Sequence, residues 1–297
     1  MRVNNNLTPE ILAGIQRTQS EEQTALQELS TGKRVNVPSD DPAAAVAMIQ
    51  NQLLTSAVDQ YTKNVTSILS VLQTADSTLS SVQASVNQAI TLGTEGANGT
   101  VTAAQRQALA QQVQGIFSSV LSAANLNYNG VYVFGGTDEN SQPYAADSGS
   151  STGYAYSGND ETNSVEIGSG YSIQINLPGG QLFSSSGSDL LGSLNQLATA
   201  LQSGTSTDIS SATSQVESAL SYFNQQREFY GNAMSQLSSQ ESFLSQEKVN
   251  LSSEENTLVG ADATQAATML SQAQTSNSAI LAAAAKILPE SLLNYLQ

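Results

Sequence analysis

Residues 54–89 read LTSAVDQYTKNVTSILSVLQTADSTLSSVQASVNQA, and this stretch decides the fold class. Apolar or small residues return at alternating steps of four and three over five heptads, which is the period of a coiled-coil helix. At 1.5 Å per residue, the stretch predicts a helix about 54 Å long. The members of this first seam are Leu54, Val58, Tyr61, Val65, Ile68, Leu72, Ala75, Leu79, Val82, Val86 and Ala89.

Two further seams predict the helices that pack against the first. One seam places a large apolar residue at every seventh position, and these residues are Ile209, Val216, Phe223, Tyr230, Leu237, Leu244, Leu251 and Leu258. The shorter seam consists of Leu109, Val113, Ile116, Val120 and Ala123. Because narrow apolar stripes must be buried against one another, we expect a mainly α protein built on an elongated antiparallel coiled-coil helix bundle. The bundle-seam residues that we single out are Leu54, Val65, Leu72, Leu79, Val86, Val216, Phe223, Tyr230, Leu237, Leu244, Leu251 and Leu258.

The pattern changes between the helical stretches. Residues 171–177 alternate apolar and polar side chains and are followed by Pro178, Gly179 and Gly180, which predicts a half-buried strand closed by a turn. We therefore predict a small inserted β-rich domain at 128–204, within a helical bundle domain formed by 46–127 and 205–260. The glycines Gly93, Gly96 and Gly99 are expected to mark the turn after the first long helix.

The two ends of the chain carry thinner stripes. Both are helix-competent but poor in large apolar residues, so a lone helix has little to bury. We predict that residues 1–45 and 261–297 are assembly segments, disordered in the monomer and ordered among neighbouring copies. A helix at the C-terminal end is expected to break at Pro289. The stripes consist of Leu7, Ile11, Ile15, Glu22, Ala25 and Leu29, and of Ala266, Met269, Ala273, Ser276, Ile280, Ala283 and Ile287.

Composition excludes several classes of function. The chain of 297 residues contains no Cys, His or Trp, so a Ser-His-Asp triad, a thiol nucleophile and an ordinary zinc site are impossible. We expect no enzyme activity and no cofactor. The formal charge is −16, and no Lys or Arg occurs in the 120 residues between Arg106 and Arg227, which argues against nucleic-acid binding. We also expect no membrane insertion, and the start of the sequence lacks the apolar stretch of an ordinary signal peptide.

Three short motifs have alternative interpretations. Asp41 before Pro42 is interpreted as the N-cap of a helix rather than as a catalytic or metal-binding carboxylate. The letters of residues 149–153 match a nucleophile elbow, but the chain has no His to act as its base. The carboxylates at 138–139 and 160–161 lack EF-hand spacing, and Ca²⁺ binding there stays open. The tyrosines of the insert are interpreted as packing residues, with glycan binding as the open alternative.

Several stretches resemble one known family. Residues 29–42, LSTGKRVNVPSDDP, are similar to the N-terminal signature of bacterial flagellins and their relatives, and residues 263–297 resemble the partner terminus. Within that family, three motifs favour a hook-associated subunit at the hook–filament junction over a filament subunit. The first is NGVYVFGGT at 129–137 followed by YSGN at 156–159, the second is VEIGSGYSIQINLPGGQLF at 165–183, and the third is the ending SLLNYLQ at 291–297.

The resemblance implies a structural role in the bacterial flagellum. Such subunits are exported through the flagellar channel after protection by a cytoplasmic export chaperone, and they form a ring of copies outside the cell. The ring contacts the first hook-associated protein on one side and flagellin on the other. The alternatives are flagellin itself and, from a different class, a secreted adhesin or carbohydrate-binding protein. The predicted assembly-interface residues are Leu7, Ile11, Ile15, Leu29, Arg34, Asp41, Met269, Ala273, Ile280, Ile287, Leu292, Leu293 and Leu296.

Overall fold

The computed structural model describes the backbone of residues 8–295 and the side chains of residues 9–286. The helices are α1 (Thr8–Thr31), α2 (Pro42–Gly96), α3 (Ala103–Ala124), α4 (Gly179–Phe183), α5 (Leu190–Ser203), α6 (Ser206–Val259) and α7 (Ala263–Tyr295). The strands are β1 (Asn127–Tyr128), β2 (Val131–Tyr132), β3 (Tyr144–Ala146), β4 (Tyr154–Tyr156), β5 (Ser164–Gly168), β6 (Tyr171–Gln174), β7 (Ser184–Ser185) and β8 (Ser188–Asp189). The predicted class, a helical bundle with a small β insert, is confirmed.

The chain divides into two compact units. Unit 1 comprises residues 1–57 and 246–297, and unit 2 comprises residues 58–245. Helices α2 and α6, with 55 and 54 residues, each contribute to both units. The predicted long helices are therefore present. The boundary between the two units falls inside both helices, after residue 57 in α2 and after residue 245 in α6.

The heptad seams form the core of unit 2. The seam positions of α2, α3 and α6 point into this core, where the buried members are Val65, Leu72, Leu79, Val86, Leu109, Val113, Ile116, Val120, Ile209, Val216, Phe223, Tyr230, Leu237 and Leu244. The side chain of Arg227 joins the two long helices within unit 2. The Arg227 guanidinium donates from Nε to Asp76 Oδ1 at 2.7 Å and from Nη1 to Gln83 Oε1 at 2.8 Å. These two bonds from one planar side chain fix the register of α6 on α2.

Helix α5 lies within the segment that the sequence assigned to the β insert. Its buried residues recur at helical spacing, with Leu190, Leu194, Leu197 and Leu201 all fully buried. Asp189 caps its start by accepting from the Gly192 amide at 2.8 Å. The predicted insert, residues 128–204, therefore contains α5 as well as the strands, and α5 packs against α3.

The glycines after the first seam have a packing role. Helix α2 continues through Gly93 to Gly96, so the turn predicted at Gly93 is wrong. A Cβ at Gly93 would overlap the Thr213 hydroxyl and crowd Leu197, and a Cβ at Gly96 would overlap Leu201. The absence of these side chains allows α5 to approach the end of α2 closely.

The insert is a set of four antiparallel two-stranded pairs, β1–β2, β3–β4, β5–β6 and β7–β8. The alternation of residues 171–177 predicted a strand, and β6 covers Tyr171–Gln174 of that stretch. In the β5–β6 pair, Val165 faces Ile173 in register. The β5 backbone is held by two helices of unit 2. Asn64 of α2 donates to the Glu166 carbonyl at 2.8 Å, and Gln240 of α6 donates to the Ile167 carbonyl at 2.9 Å.

Two predictions that concern unit 1, the burial of Leu54 and the helix break at Pro289, differ from the structure. Leu54 was predicted to lie in the bundle seam, but its side chain is 56 % exposed. The seam of α2 therefore begins at Val58, which is buried, and Leu54 has no core to enter. The break predicted at Pro289 is also wrong, since α7 continues to Tyr295. One proline removes a single backbone donor, and the flanking turns can keep their own hydrogen bonds.

Candidate assembly surfaces

The segment between α1 and α2 is fastened to the end of α6. Gly32 ends α1 in the left-handed region, at φ 68°, where glycine has no Cβ penalty. Beyond it, the Arg34 amide donates to the Val259 carbonyl at 2.7 Å, and the Ala261 amide donates back to the Gly32 carbonyl at 2.9 Å. We call residues 32–41 the clasp segment.

Charged side chains add to this fastening. Lys33 Nζ lies 2.7 Å from Glu255 Oε1, and Arg34 Nη2 lies 3.2 Å from Asp41 Oδ2. Arg34 also donates to the Leu258 carbonyl at 3.3 Å. All four charged side chains are between about a third and a half exposed, so each ion pair directs geometry more than it adds stability.

Two neighbouring aspartates shape the start of α2. Asp40 Oδ2 accepts from the amides of Asn36 and Val37, each at 3.0 Å, and these bonds lower the pKa of Asp40. Asp41 Oδ1 accepts from the Ala44 amide at 3.1 Å. The bond from Ala44 has the largest effect in lowering the pKa of Asp41, and the hydrogen bond from Arg34 lowers it further. The prediction that Asp41 caps α2 is confirmed.

A small apolar cluster lies under the clasp segment. Val35 is buried together with Ala44 and Val259, and Met48 and Leu258 pack against them. Leu258, predicted as a seam residue, is thus a half-buried contact of this cluster. Arg34 and Asp41, predicted as assembly-interface residues, contact each other within the chain, and their role between subunits stays a prediction.

Helices α1 and α7 pack on each other along small residues. The buried positions are Thr18 and Ala25 on α1, and Ala266, Ala273 and Ala284 on α7. Of the predicted interface residues, Ile11, Ile15, Ala273 and Ile280 lie on these inner faces, with the three isoleucines only partly buried. The side chains of Leu7, Ile287, Leu292, Leu293 and Leu296 lie outside the described residues.

The outer faces of the same two helices carry exposed apolar side chains. Leu29 and Met269 belong to the predicted interface and are exposed. The sequence analysis missed Leu12, Leu26 and Leu281, which are also exposed. Helical periodicity identifies a single stripe and gives no sign of a second apolar face one residue away.

The first turns of α2 form another exposed apolar face. Val46, Ile49 and Leu53 follow steps of three and four along one side of the helix, and their exposed fractions are 58 %, 54 % and 66 %. No charged residue occurs from Pro42 to Val58. On α7, none occurs between Asp262 and Lys286. Charged residues make up about a quarter of an ordinary domain, so exposed helices without them are suited to burial against a partner.

The exposed apolar residues are concentrated in unit 1. Among the described residues, every exposed large apolar side chain belongs to unit 1 except Val131, Tyr171 and Phe243. Unit 2 has a core that buries its seams, whereas unit 1 leaves large aliphatic side chains in solvent. Such uncovered apolar surface indicates a protein-binding region.

One tyrosine of the insert, Tyr144, lies in the core. Tyr144 is buried, donates from its hydroxyl to the Gly179 carbonyl at 2.9 Å, and has its pKa raised by burial. Phe134 packs edge-on against Phe183 and Tyr230, at ring distances of 5.4 Å and 6.5 Å. The packing interpretation is therefore confirmed for Tyr144, and these buried rings offer no platform for a sugar.

The carboxylates considered for Ca²⁺ are used locally. Glu161 accepts from the Thr137 hydroxyl at 3.2 Å, and Glu139 accepts from Nδ2 of the Asn163 side chain at 2.8 Å. Within the described ranges, no group of three or more acidic side chains is arranged to hold a metal ion. In the same part of the chain, no helix has the length and apolar character needed to cross a membrane.

Comparison with known proteins places this arrangement in a family. The model of the bacterial flagellin N-terminal helical region matches residues 3–139, and that of the bacterial flagellin C-terminal helical region matches residues 213–296. The chain belongs to the bacterial flagellin family. The flagellin-family regions cover the clasp segment, both terminal helices, α2, α3 and most of α6, while α4, α5 and β3–β8 lie outside them.

Relatives within the flagellin family include hook-associated proteins and flagellins. Flagellar hook-associated protein 3 of Escherichia coli is 30 % identical over 175 residues, which cover 59 % of this chain and 54 % of that protein. A flagellin of Listeria innocua is 28 % identical over 142 residues, covering 47 % and 50 %. The chain spans about half the length of the curated relatives it matches.

Solved structures share the fold. A flagellar hook-associated protein from Vibrio parahaemolyticus superposes with a TM-score of 0.68 at 20 % identity, over 74 % of this chain and 99 % of that one. The flagellar junction protein from Legionella pneumophila gives a TM-score of 0.62 at 13 % identity, over 72 % and 100 %. At these identities the likeness establishes the fold of this flagellin-family chain.

Proposed function

We propose that this chain is a structural subunit that joins the hook of the bacterial flagellum to its filament. The observation that carries the proposal is the concentration of exposed, charge-poor apolar surface in unit 1, the part that contains both chain ends. The hook-associated relatives support the junction assignment over the filament, because they match a longer stretch than the flagellins do.

The proposed mechanism couples folding to assembly. Unit 2 has its own buried core and folds without a partner. Helices α1 and α7 bury mostly alanine and leave Leu12, Leu26, Met269 and Leu281 in solvent, so their pairing gains little free energy in the free subunit. Neighbouring copies cover the outer faces, and the apolar area buried there offsets the entropy of ordering the ends.

The proposed partners follow from position in the flagellum. Copies of this chain form a ring outside the cell, the first hook-associated protein lies on the hook side, and flagellin lies on the filament side. A cytoplasmic export chaperone covers the ends before export. An absence of Cys is compatible with such a route, since no disulfide has to form on arrival.

Immunogold labelling of isolated flagella tests the proposal. Label confined to the boundary between hook and filament is the expected result. Label along the whole filament would instead identify a flagellin, which the Listeria match keeps as the second candidate. Purified protein that grows long filaments unaided would support that second candidate as well.

A further inference from the structure

The chain contains two Asn-Gly pairs, Asn98-Gly99 and Asn129-Gly130, and both lie in exposed turns. An asparagine side chain before glycine is open to attack by the next backbone nitrogen, because glycine has no Cβ to hinder the approach. The two turns differ in how they hold that nitrogen and the asparagine side chain. This difference predicts different chemical fates for the two asparagines.

The hairpin between β1 and β2 ties down the nitrogen of Gly130. Its amide donates to Asn127 Oδ1 at 2.9 Å. Asn129 and Gly130 have φ values of 53° and 90°, which is the conformation of a two-residue hairpin turn. The pairing of Tyr128 with Val131 closes the turn. Movement of the Gly130 nitrogen toward the Asn129 side chain would break its hydrogen bond and strain this turn.

The turn between α2 and α3 leaves the nitrogen of Gly99 free. The turn is closed by the Val101 amide, which donates to the Asn98 carbonyl at 3.0 Å. Within the part of the chain that the structure describes, the Gly99 amide donates to no acceptor. Asn98 Oδ1 accepts from the Thr100 amide at 3.2 Å and from the Thr100 hydroxyl at 3.0 Å. These two bonds fold the Asn98 side chain back over the residues that follow it.

We propose that Asn98 is a site of spontaneous deamidation and that Thr100 promotes the reaction. The Gly99 nitrogen gives its proton to solvent and attacks Cγ of Asn98 with its lone pair. Negative charge develops on Oδ1, where the amide and hydroxyl of Thr100 stabilise it. The side-chain nitrogen takes up a proton and leaves as ammonia, which leaves a five-membered succinimide. Water then opens this ring at either carbonyl and gives aspartate or isoaspartate.

The reaction would alter a turn whose two ends are held in place. Before the turn, Gly96 lies against Leu201. After it, Thr102 caps α3 in a reciprocal pair of bonds with Gln105. Both products add a carboxylate just beyond the C-terminal end of α2, where the helix dipole opposes negative charge. Isoaspartate also lengthens the backbone by one methylene group. Deamidation should therefore destabilise unit 2, which contains this turn.

Peptide mapping by mass spectrometry tests the site on full-length protein aged for weeks in mildly alkaline buffer. Asn98 should convert at least about threefold faster than Asn129, the control within the same chain. Thr100→Val removes the hydroxyl donor at nearly constant volume and should slow conversion of Asn98 by about threefold, with Asn129 unaffected. Asn127→Ala frees the Gly130 nitrogen and should speed conversion of Asn129 alone. Conversion of Asn129 as fast as that of Asn98 in the wild type overturns the proposal, and an unchanged rate in Thr100→Val overturns the role of Thr100.

Urea denaturation of the aged protein measures the structural consequence. Aged wild type should unfold at a lower urea concentration than fresh wild type. Asn98→Gln has a longer side chain that would have to close a less favourable six-membered ring, so this variant should lose less stability on ageing. An equal loss in both proteins would show that the damage arises elsewhere in the chain, and would overturn the consequence assigned to Asn98.

Discussion

The guanidinium of Arg34 donates a hydrogen bond to the carboxylate of Asp41, with 3.2 Å between Nη2 and Oδ2. The same nitrogen reaches the Leu258 carbonyl, so one side chain joins the clasp segment, the start of α2 and the last turn of α6. The contact closes within a single chain. It therefore ties the segment between α1 and α2 to the end of α6, just before α7 begins.

Asp41→Ala should lower the melting temperature and make it less sensitive to acid. The carboxylate accepts from the Ala44 amide and from Arg34, which lower the pKa of Asp41 in the folded chain. Its contribution is therefore present above the unfolded pKa of about 3.9 and is lost as pH falls through the lower folded pKa. Thermal unfolding followed by circular dichroism should show a gap between wild type and variant at pH 7 that narrows below about pH 4. Ser39→Ala, an exposed change in the same segment, is the control. A gap independent of pH would contradict this role for Asp41.

Leu237→Asp should destabilise unit 2 by more than about 3 kcal/mol, because it loses a large buried side chain and introduces a charge without a partner. Urea denaturation measures the change. Ser238→Asp places the same charge on the exposed side of α6 and should stay within about 0.5 kcal/mol of wild type. Equal effects of the two variants would refute the seam assignment.

Gly93→Ala and Gly115→Ala should change the free energy of unfolding in opposite directions. A Cβ at Gly93 meets Thr213 and Leu197, so that variant should lose about 1–3 kcal/mol. Gly115 lies in α3 with nothing within 4 Å of an added Cβ, and alanine there should add about 0.5–1 kcal/mol through helix propensity. Chemical denaturation of both proteins checks the pair. Stabilisation by Gly93→Ala would show that α5 does not approach α2 closely.

Deletion of residues 1–45 or 261–297 should abolish incorporation and leave the helices of unit 2 intact. Both deleted segments belong to unit 1, and the buried seam residues that form the core of unit 2 lie outside them. Far-ultraviolet circular dichroism of each truncated protein measures the remaining helix, and complementation of a deletion strain measures incorporation. Loss of helix throughout the chain on either deletion would contradict the independence of unit 2.

The sequence predicts those parts of the fold that depend on local periodicity. The seams from Val58 to Ala89 and from Ile209 to Leu251 are helical throughout, and their seam residues are buried except for Tyr61, which is half-buried. A three–four apolar repeat buries one face when it forms a helix. Leu54 continues the same repeat and yet is exposed, because burial also needs a partner at that level. The sequence pattern of one helix does not show how far along that helix the helices packed against it extend.

The remaining differences also depend on tertiary contacts. Glycine is typical of turns, so Gly93 predicted one. Its role in helix packing depends instead on Leu197, which is more than a hundred residues away in the sequence. The sequence of α1 alone does not distinguish its exposed leucines from the apolar residues that face α7, because the position of α7 decides which side is covered. The Asp41 cap was predictable because Asp41 and Ala44 are three residues apart, whereas the Arg34–Leu258 contact spans 224 residues.

The order of the two chain ends in the free subunit is the most direct test of coupled folding and assembly. Nitrogen-15 relaxation of the isolated full-length protein measures it residue by residue. We predict order parameters of about 0.85 for the helices of unit 2 and below about 0.6 for α1 and α7. Values near about 0.85 along both terminal helices would mean that the ends are already folded, and would contradict the account.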